Sequence, residues 1–165
     1  MKRYSNHDYF DTSKPINRPL KDEQKAGGFR CSHCKQWAVI NEFMGTANRN
    51  HCNICLWSKH VDHKKGDRMA ECRGGMRPVA LTFKHEGLNR VGEIMLVHIC
   101  CSCNKISINR IAGDDDNMLI LEIFDQSMAL DASLRSDITR QGIYLLQQTD
   151  KGELHRQLFG SYSTS

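Results

Sequence analysis

Two short stretches, Cys31-Ser32-His33-Cys34 and Cys52-Asn53-Ile54-Cys55, decide how this chain is read. A two-residue gap lets both thiolates of a pair reach one ion without strain. Two such pairs supply the four ligands of a tetrahedral zinc ion, at a spacing that fits a zinc ribbon. Thiolates at all four positions leave no place for water or substrate, so the pattern predicts a structural metal rather than a catalytic one. A second set follows: Cys72, then Cys100-Cys101-Ser102-Cys103. Cys100 and Cys103 have the knuckle spacing; Cys101 and Cys103, with one residue between them, do not. Cys72 is the natural third ligand, and the fourth is to be sought among His60, His63, His98 and Cys101. We favour His60, which lies just past the first four cysteines and could close the link between the two halves. The second site then reads Cys72, Cys100, Cys103 and His60, also closed.

The eight cysteines all fall between positions 31 and 103. The opening Met1-Lys2-Arg3-Tyr4-Ser5-Asn6-His7-Asp8 leads into no apolar export segment, so the expected setting is cytoplasmic, with thiols reduced and metal-bound rather than paired as disulfides. The longest apolar runs, Ile94 to Val97 and Met118 to Leu121, fall far short of the roughly 20 residues a membrane span needs. Metal staples suit a chain of this length, because small domains bury too little apolar surface to be secure without them.

Charge is unevenly spread. Residues 1–110 carry 19 Lys and Arg against 10 Asp and Glu, whereas residues 111–165 carry 4 against 9. A basic metal-binding part followed by an acidic tail suits a polyanionic partner, although solvation alone would also account for the lysines.

Residues 1–28 are polar, hold Pro15 and Pro19, and show no periodicity, which predicts a flexible arm. Phe29 to Cys34 reads as a strand entering a knuckle, and Trp37 to Ile40 as the strand leaving it. Val79–Phe83 and Val91–Ile99 read as a hairpin whose second strand delivers Cys100 and Cys103. Leu130, Leu134 and Ile138, four apart, predict a helix with one apolar face, which Gly142 could cap or interrupt. Tyr144 to Phe159 predicts a further helical turn or two. Asp114-Asp115-Asp116 could bind Mg²⁺ through oxygen, but capping the following helix is the simpler role. The expected fold is a small, metal-stabilised, β-rich, zinc-ribbon-like domain over residues 29–117, with a helical C-terminal extension over 118–165.

The string Arg49-Asn50-His51-Cys52-Asn53-Ile54-Cys55 resembles the RNHCP domain family, named for its Arg-Asn-His-Cys-Pro motif. Ser58-Lys59-His60-Val61-Asp62, Gly66-Asp67-Arg68, Cys72 with Gly74-Gly75, His98-Ile99-Cys100 with Cys103, and Asn109-Arg110 followed by Asp114-Asp115 resemble it too. Asn53 departs from the pattern, standing where the family name calls for proline. The resemblance implies a small zinc-binding domain of bacterial type and names no activity. Its polar matches, Arg49, Asn50, Asp62, Asp67-Arg68, Asn109-Arg110 and the aspartates Asp114-Asp115, are not metal ligands by type or spacing. They are expected to form a buried network locking the two metal halves together, or else to line a site.

For function the leading expectation is a non-catalytic binding module with one or two zinc ions. It would contact RNA or the ribosome through Arg30, Lys35, Arg49 and Lys59. Trp37 and Trp57 would serve for stacking if exposed, though core packing is the expected place for both. His33, inside the first knuckle, is expected to point to solvent. His51, directly before Cys52, is expected either to support a thiolate or to be packed. An alternative is a metal-dependent nuclease. Residues His60 to Asp67 loosely resemble the Asp-His step of HNH nucleases, with His63 as base and Asp62, or an aspartate of 114–116, holding the cation. A third reading is a protein-interaction adaptor working through the acidic tail. Cys101 remains as a spare thiol.

Overall fold

A computed structural model describes residues 27–40, 44–45, 49–64, 67–85 and 91–160. The expected arm, the turn after His85 and the last five residues lie outside that set, apart from Gly27 and Gly28. Two antiparallel sheets are present among the described residues. The smaller pairs β1 (Gly28–Arg30) with β2 (Trp37–Val39), Phe29 opposite Ala38, and so brackets the first knuckle. The larger has the order β3 (Ser58–Lys59), β4 (Gly75–His85), β5 (Val91–Cys100), β6 (Ile106–Arg110).

Strands β4 and β5 form the expected hairpin, with Leu81 opposite Leu96 and Phe83 opposite Ile94. The register slips between Pro78 and Ala80, where proline has no N–H to give to the ladder. These strands alternate poorly in sequence because both of their faces are covered. One face sends Leu81, Ile94 and Leu96 into a cluster with Ile120, Phe124 and Leu154. The other sends Ala80, Val97, Ile99 and Ile106 against Ile138, Leu130 and Leu134.

The covering helices follow from the tail sequence. Helix α1 (Asn117–Ser127) starts where the Asp116 carboxylate accepts the N–H groups of Met118 and Leu119 at 2.9 and 3.1 Å. Helix α2 (Ala132–Arg140) is capped in the same way by Asp131 and carries Leu134 and Ile138 of the expected stripe onto the sheet, while Leu130, expected on the helix, precedes its cap and packs into the same cluster. Gly142, at φ 76°, ends it, its N–H bonding the Thr139 carbonyl. The chain then runs beside β4, with Leu146 N–H on the Leu81 carbonyl, before α3 (Lys151–Phe159) buries Leu154. The helical segment is thus part of the core: Ile120, Phe124 and Leu154 are fully buried, each worth about 1.5–3 kcal/mol of transfer free energy. Among the described residues no helix is long and apolar enough to cross a membrane.

Candidate metal centres

Three Cys-x-x-Cys segments adopt one backbone design. The N–H of the first cysteine bonds the carbonyl five residues on: Cys31 to Gln36, Cys52 to Trp57 and Cys100 to Lys105, at 2.8, 3.0 and 2.9 Å. The residue after the second cysteine returns its N–H to the first cysteine's carbonyl, and so turns left-handed. Lys35, Leu56 and Asn104 have φ of 63°, 59° and 59°. Amide N–H groups inside the turn then aim at sulfur, those of Ile54 and Cys55 at Cys52, and those of Ser102 and Cys103 at Cys100.

Two knuckles meet to form the first cluster. Cys31 and Cys55 sulfurs lie 3.6 Å apart, as do those of Cys34 and Cys52, and all four lie within 4.8 Å of one another. A disulfide would need about 2.05 Å. Tetrahedral zinc with bonds of about 2.3 Å separates its sulfurs by roughly 3.8 Å, so the donors fit that ion. The third knuckle builds the second cluster with help from loops. Cys72 and Cys100 sulfurs are 3.6 Å apart, and His60 Nδ1 is 3.2 Å from Cys103 sulfur. These four atoms again lie within 4.8 Å of one another. Gly74 makes room for this cluster, since a Cβ there would meet Cys100 sulfur at 2.8 Å and Ser102 Oγ at 2.5 Å. Both clusters could hold a metal ion, and thiolate and imidazole donors are compatible with zinc.

The thiols share charge unequally. Burial pushes Cys52 and Cys55 up. Burial pushes Cys34 up as well, but the Gln36 N–H and the neighbouring thiols outweigh it and bring Cys34 below the ordinary range. Cys100 is lowered in the same way against burial, by the Ser102 and Cys103 N–H groups and Cys72. At Cys103 the Lys105 N–H favours thiolate, yet burial and the Cys100 and Cys72 sulfurs push it up. A divalent cation binds such a set as thiolates, so metal binding releases the thiol protons.

The other candidate ligands have different places. Cys101 is exposed and belongs to neither cluster. His98 is fully buried, donates from Nε2 to the Leu56 carbonyl at 2.7 Å and faces the Asn109 amide nitrogen at 3.1 Å with Nδ1. Burial, aided by His51, pulls its pKa down to about 4, so it is neutral. The Asn109 amide oxygen accepts from Asn50 in turn. This chain ties the second knuckle to β5 and β6. Asp62 and His63 join no group of three such ligands among the described residues. The Asp62 carboxylate accepts the Arg68 N–H at 2.9 Å, and His63 is exposed with its N–H on Asp67.

The polar matches separate by role. Arg49 is buried, its guanidinium on Asp114 and on Asp115 at 3.2 Å, and Asp115 also accepts from His51 Nε2 at 2.7 Å and Ala112 N–H at 2.7 Å. This network fastens the second knuckle to the entry of α1, which the Asp116 N–H to Asn53 carbonyl bond reinforces. Arg49 is therefore not a surface contact, contrary to expectation, and only Asp116 of the three aspartates caps the helix. The family resemblance already places Arg49 and the aspartates in one expected buried network; which carboxylates Arg49 meets is settled by the fold. Asp67 is likewise structural, accepting the N–H groups of His63, Lys64 and Met69.

The tryptophans also depart from expectation. Trp37 is 44% exposed, because on the short β2 only Ala38 faces the cysteines. Trp57 is half-buried and stacks on His33, the rings 3.9 Å apart and 6° from parallel, while His33 itself stays exposed as expected. Lys35 folds its ammonium onto the Ser32 carbonyl at 2.6 Å. A cleft opens between the first knuckle and β3, lined among others by Phe29, Arg30, Trp57, Lys59 and Arg68. It shares Asn50, Ser58, Lys59 and Val61 with a wider groove that reaches Lys64 and Lys105.

No curated protein and no solved structure matches the chain. A model of the RNHCP domain matches residues 26–121, which contain both clusters and every knuckle described above, and the chain belongs to the RNHCP domain family.

Proposed function

We propose that this protein is a cytoplasmic, non-catalytic module that holds two zinc ions as closed structural centres and contacts RNA, free or ribosomal, through its basic face. The observation that carries this reading is the continuity of cleft and groove. Arg30, Lys59, Lys64, Arg68 and Lys105 line one connected depression between the two metal clusters. The acidic residues lining it are occupied internally. Glu93 is held by Lys84 and Arg110, which keep its pKa low even against burial, and Asp62 caps Arg68. A concave surface whose cations outnumber its acids attracts phosphates. Coordination supports a binding role, since both donor sets are complete without water or substrate.

The test is titration of the zinc-loaded protein with labelled single- and double-stranded RNA and DNA at ~50 and ~200 mM salt. Binding that weakens steeply with salt is expected. No binding even at the lower concentration would end the RNA reading while leaving the metal centres untouched.

A further inference from the structure

The cleft beside the first knuckle is chemically unlike the groove it joins. Its walls are apolar, with Phe29, Ile40, Trp57 and Val61, and its cations are Arg30, Lys59 and Arg68 around a buried Arg49. No carboxylate is among the described residues lining it. Its volume, about 70 Å³, is that of a phosphate or the edge of a base. Trp57 comes pre-organised, held against His33. Arg68 is positioned with equal care. Its backbone is left-handed at φ 54°, its N–H is fixed by Asp62 and its carbonyl by Arg73, while Asp67 braces the same loop. Its guanidinium nevertheless has no ion-pair or hydrogen-bond partner among the described residues, and the same is true of the Lys59 ammonium. A non-glycine residue held in a sparsely populated conformation, with its charged end left over, points to a ligand.

We infer that this cleft takes the base edge of one unpaired nucleotide of single-stranded RNA, against Phe29 and Trp57, with the rest of the nucleotide outside it and its phosphate on Arg68 and Lys59; the inference rests on the RNA reading above. An apolar aromatic wall beside paired cations recognises a splayed base and its own phosphate together, a pairing a stacked duplex does not present. Unpaired bases of this kind are offered chiefly by RNA loops and bulges. Stacking without a dedicated hydrogen-bond code makes the site tolerant of sequence.

The experiment is fluorescence anisotropy of the full, zinc-loaded chain with labelled oligouridylate, the same strand annealed to oligoadenylate, and oligothymidylate, with tryptophan emission followed in parallel. Oligouridylate is expected to bind more tightly than the duplex and to change tryptophan emission. Arg68→Gln and Lys59→Gln should each weaken it about 5-fold or more and lower the salt slope by about 1. Phe29→Leu should weaken it roughly 5-fold or more with the slope unchanged. Arg140→Gln, on α2, should do neither. Metal content of each variant checks that the clusters are intact, and Arg68 and Lys59 test the site independently. Wild-type binding by both the Arg68 and Lys59 variants would overturn the cleft while leaving the basic face standing, as would preference for duplex. Binding of oligothymidylate alone would overturn RNA as the ligand. No nucleic acid binding by the unsubstituted chain would remove both readings together.

Discussion

The two metal clusters use similar donors to do different mechanical jobs. The first is made by two knuckles facing each other, with Cys31 and Cys52 buried and Leu56, the residue after the second knuckle, fully buried in the main apolar cluster. The second has one knuckle and two donors from connecting segments, and Cys72 and Cys103 are exposed. Its ligands sit at strand ends: His60 just past β3, Cys72 before β4, Cys100 as the last residue of β5. The first cluster is continuous with the core, whereas the second clips together strand ends of a sheet that α1, α2 and α3 already cover.

The largest expected effect follows from that difference. Zinc held by such donors contributes apparent folding energy of about 10–16 kcal/mol. Cys52→Ser should therefore lose one of two metal equivalents and unfold the first module, seen as loss of near-ultraviolet dichroism. Cys103→Ser should also lose one equivalent, by elemental analysis, but keep the helices packed on the sheet. If Cys103→Ser emptied both clusters, the division of labour would be wrong. A competing chelator should likewise withdraw metal in two phases, with the exposed cluster first; a single phase would join the two into one unit.

Arg49→Met probes what lies between them. It leaves Asp115 buried without its cation, which should cost about 3–5 kcal/mol in a denaturant titration. A cost within about 0.5 kcal/mol, as at an ordinary surface site, would show that the network is not a fastening. His98→Leu is a milder cut in the connecting chain. It leaves the Leu56 carbonyl and the Asn109 amide without a partner, for about 1–3 kcal/mol. Metal stoichiometry should stay at two, with faster chelator release from both clusters; release altered at only one would show that His98 serves that cluster alone.

The contrast also explains what could be read beforehand. Ligand spacing is local chemistry, so Cys31, Cys34, Cys52, Cys55 and the Cys100–Cys103 turn stand out in the chain, and His60 follows from its place after the first set. The Leu130, Leu134, Ile138 stripe is equally local. The connecting chemistry is not. Arg49 meets Asp115 and Asn50 meets Asn109 only once the sheet and α1 are in place, and residue types alone give these pairings no signal. The strands β3 and β6 are short or half-exposed and carry little apolar pattern. Arg68 reads in sequence as half of an Asp-Arg pair, yet its neighbour Asp67 spends its carboxylate on backbone N–H groups and leaves the guanidinium over.

The smallest expected effect concerns the position where this chain departs from its family's name. In the second knuckle the N–H groups aimed at Cys52 sulfur belong to Ile54 and Cys55, not to Asn53. The Asn53 side-chain oxygen is buried without a hydrogen-bond partner, and its carbonyl, which proline retains, accepts the Asp116 N–H. Asn53→Pro therefore removes no donor that the knuckle uses, removes an unsatisfied oxygen, and restricts the unfolded chain. It should stabilise by about 0.4–1 kcal/mol, read as a small rise in melting temperature, and slow metal release from the first cluster only. A loss of stability would mean that the knuckle needs the asparagine N–H or a backbone angle that proline cannot adopt, and that the departure is accommodated by the surrounding fold rather than simply tolerated.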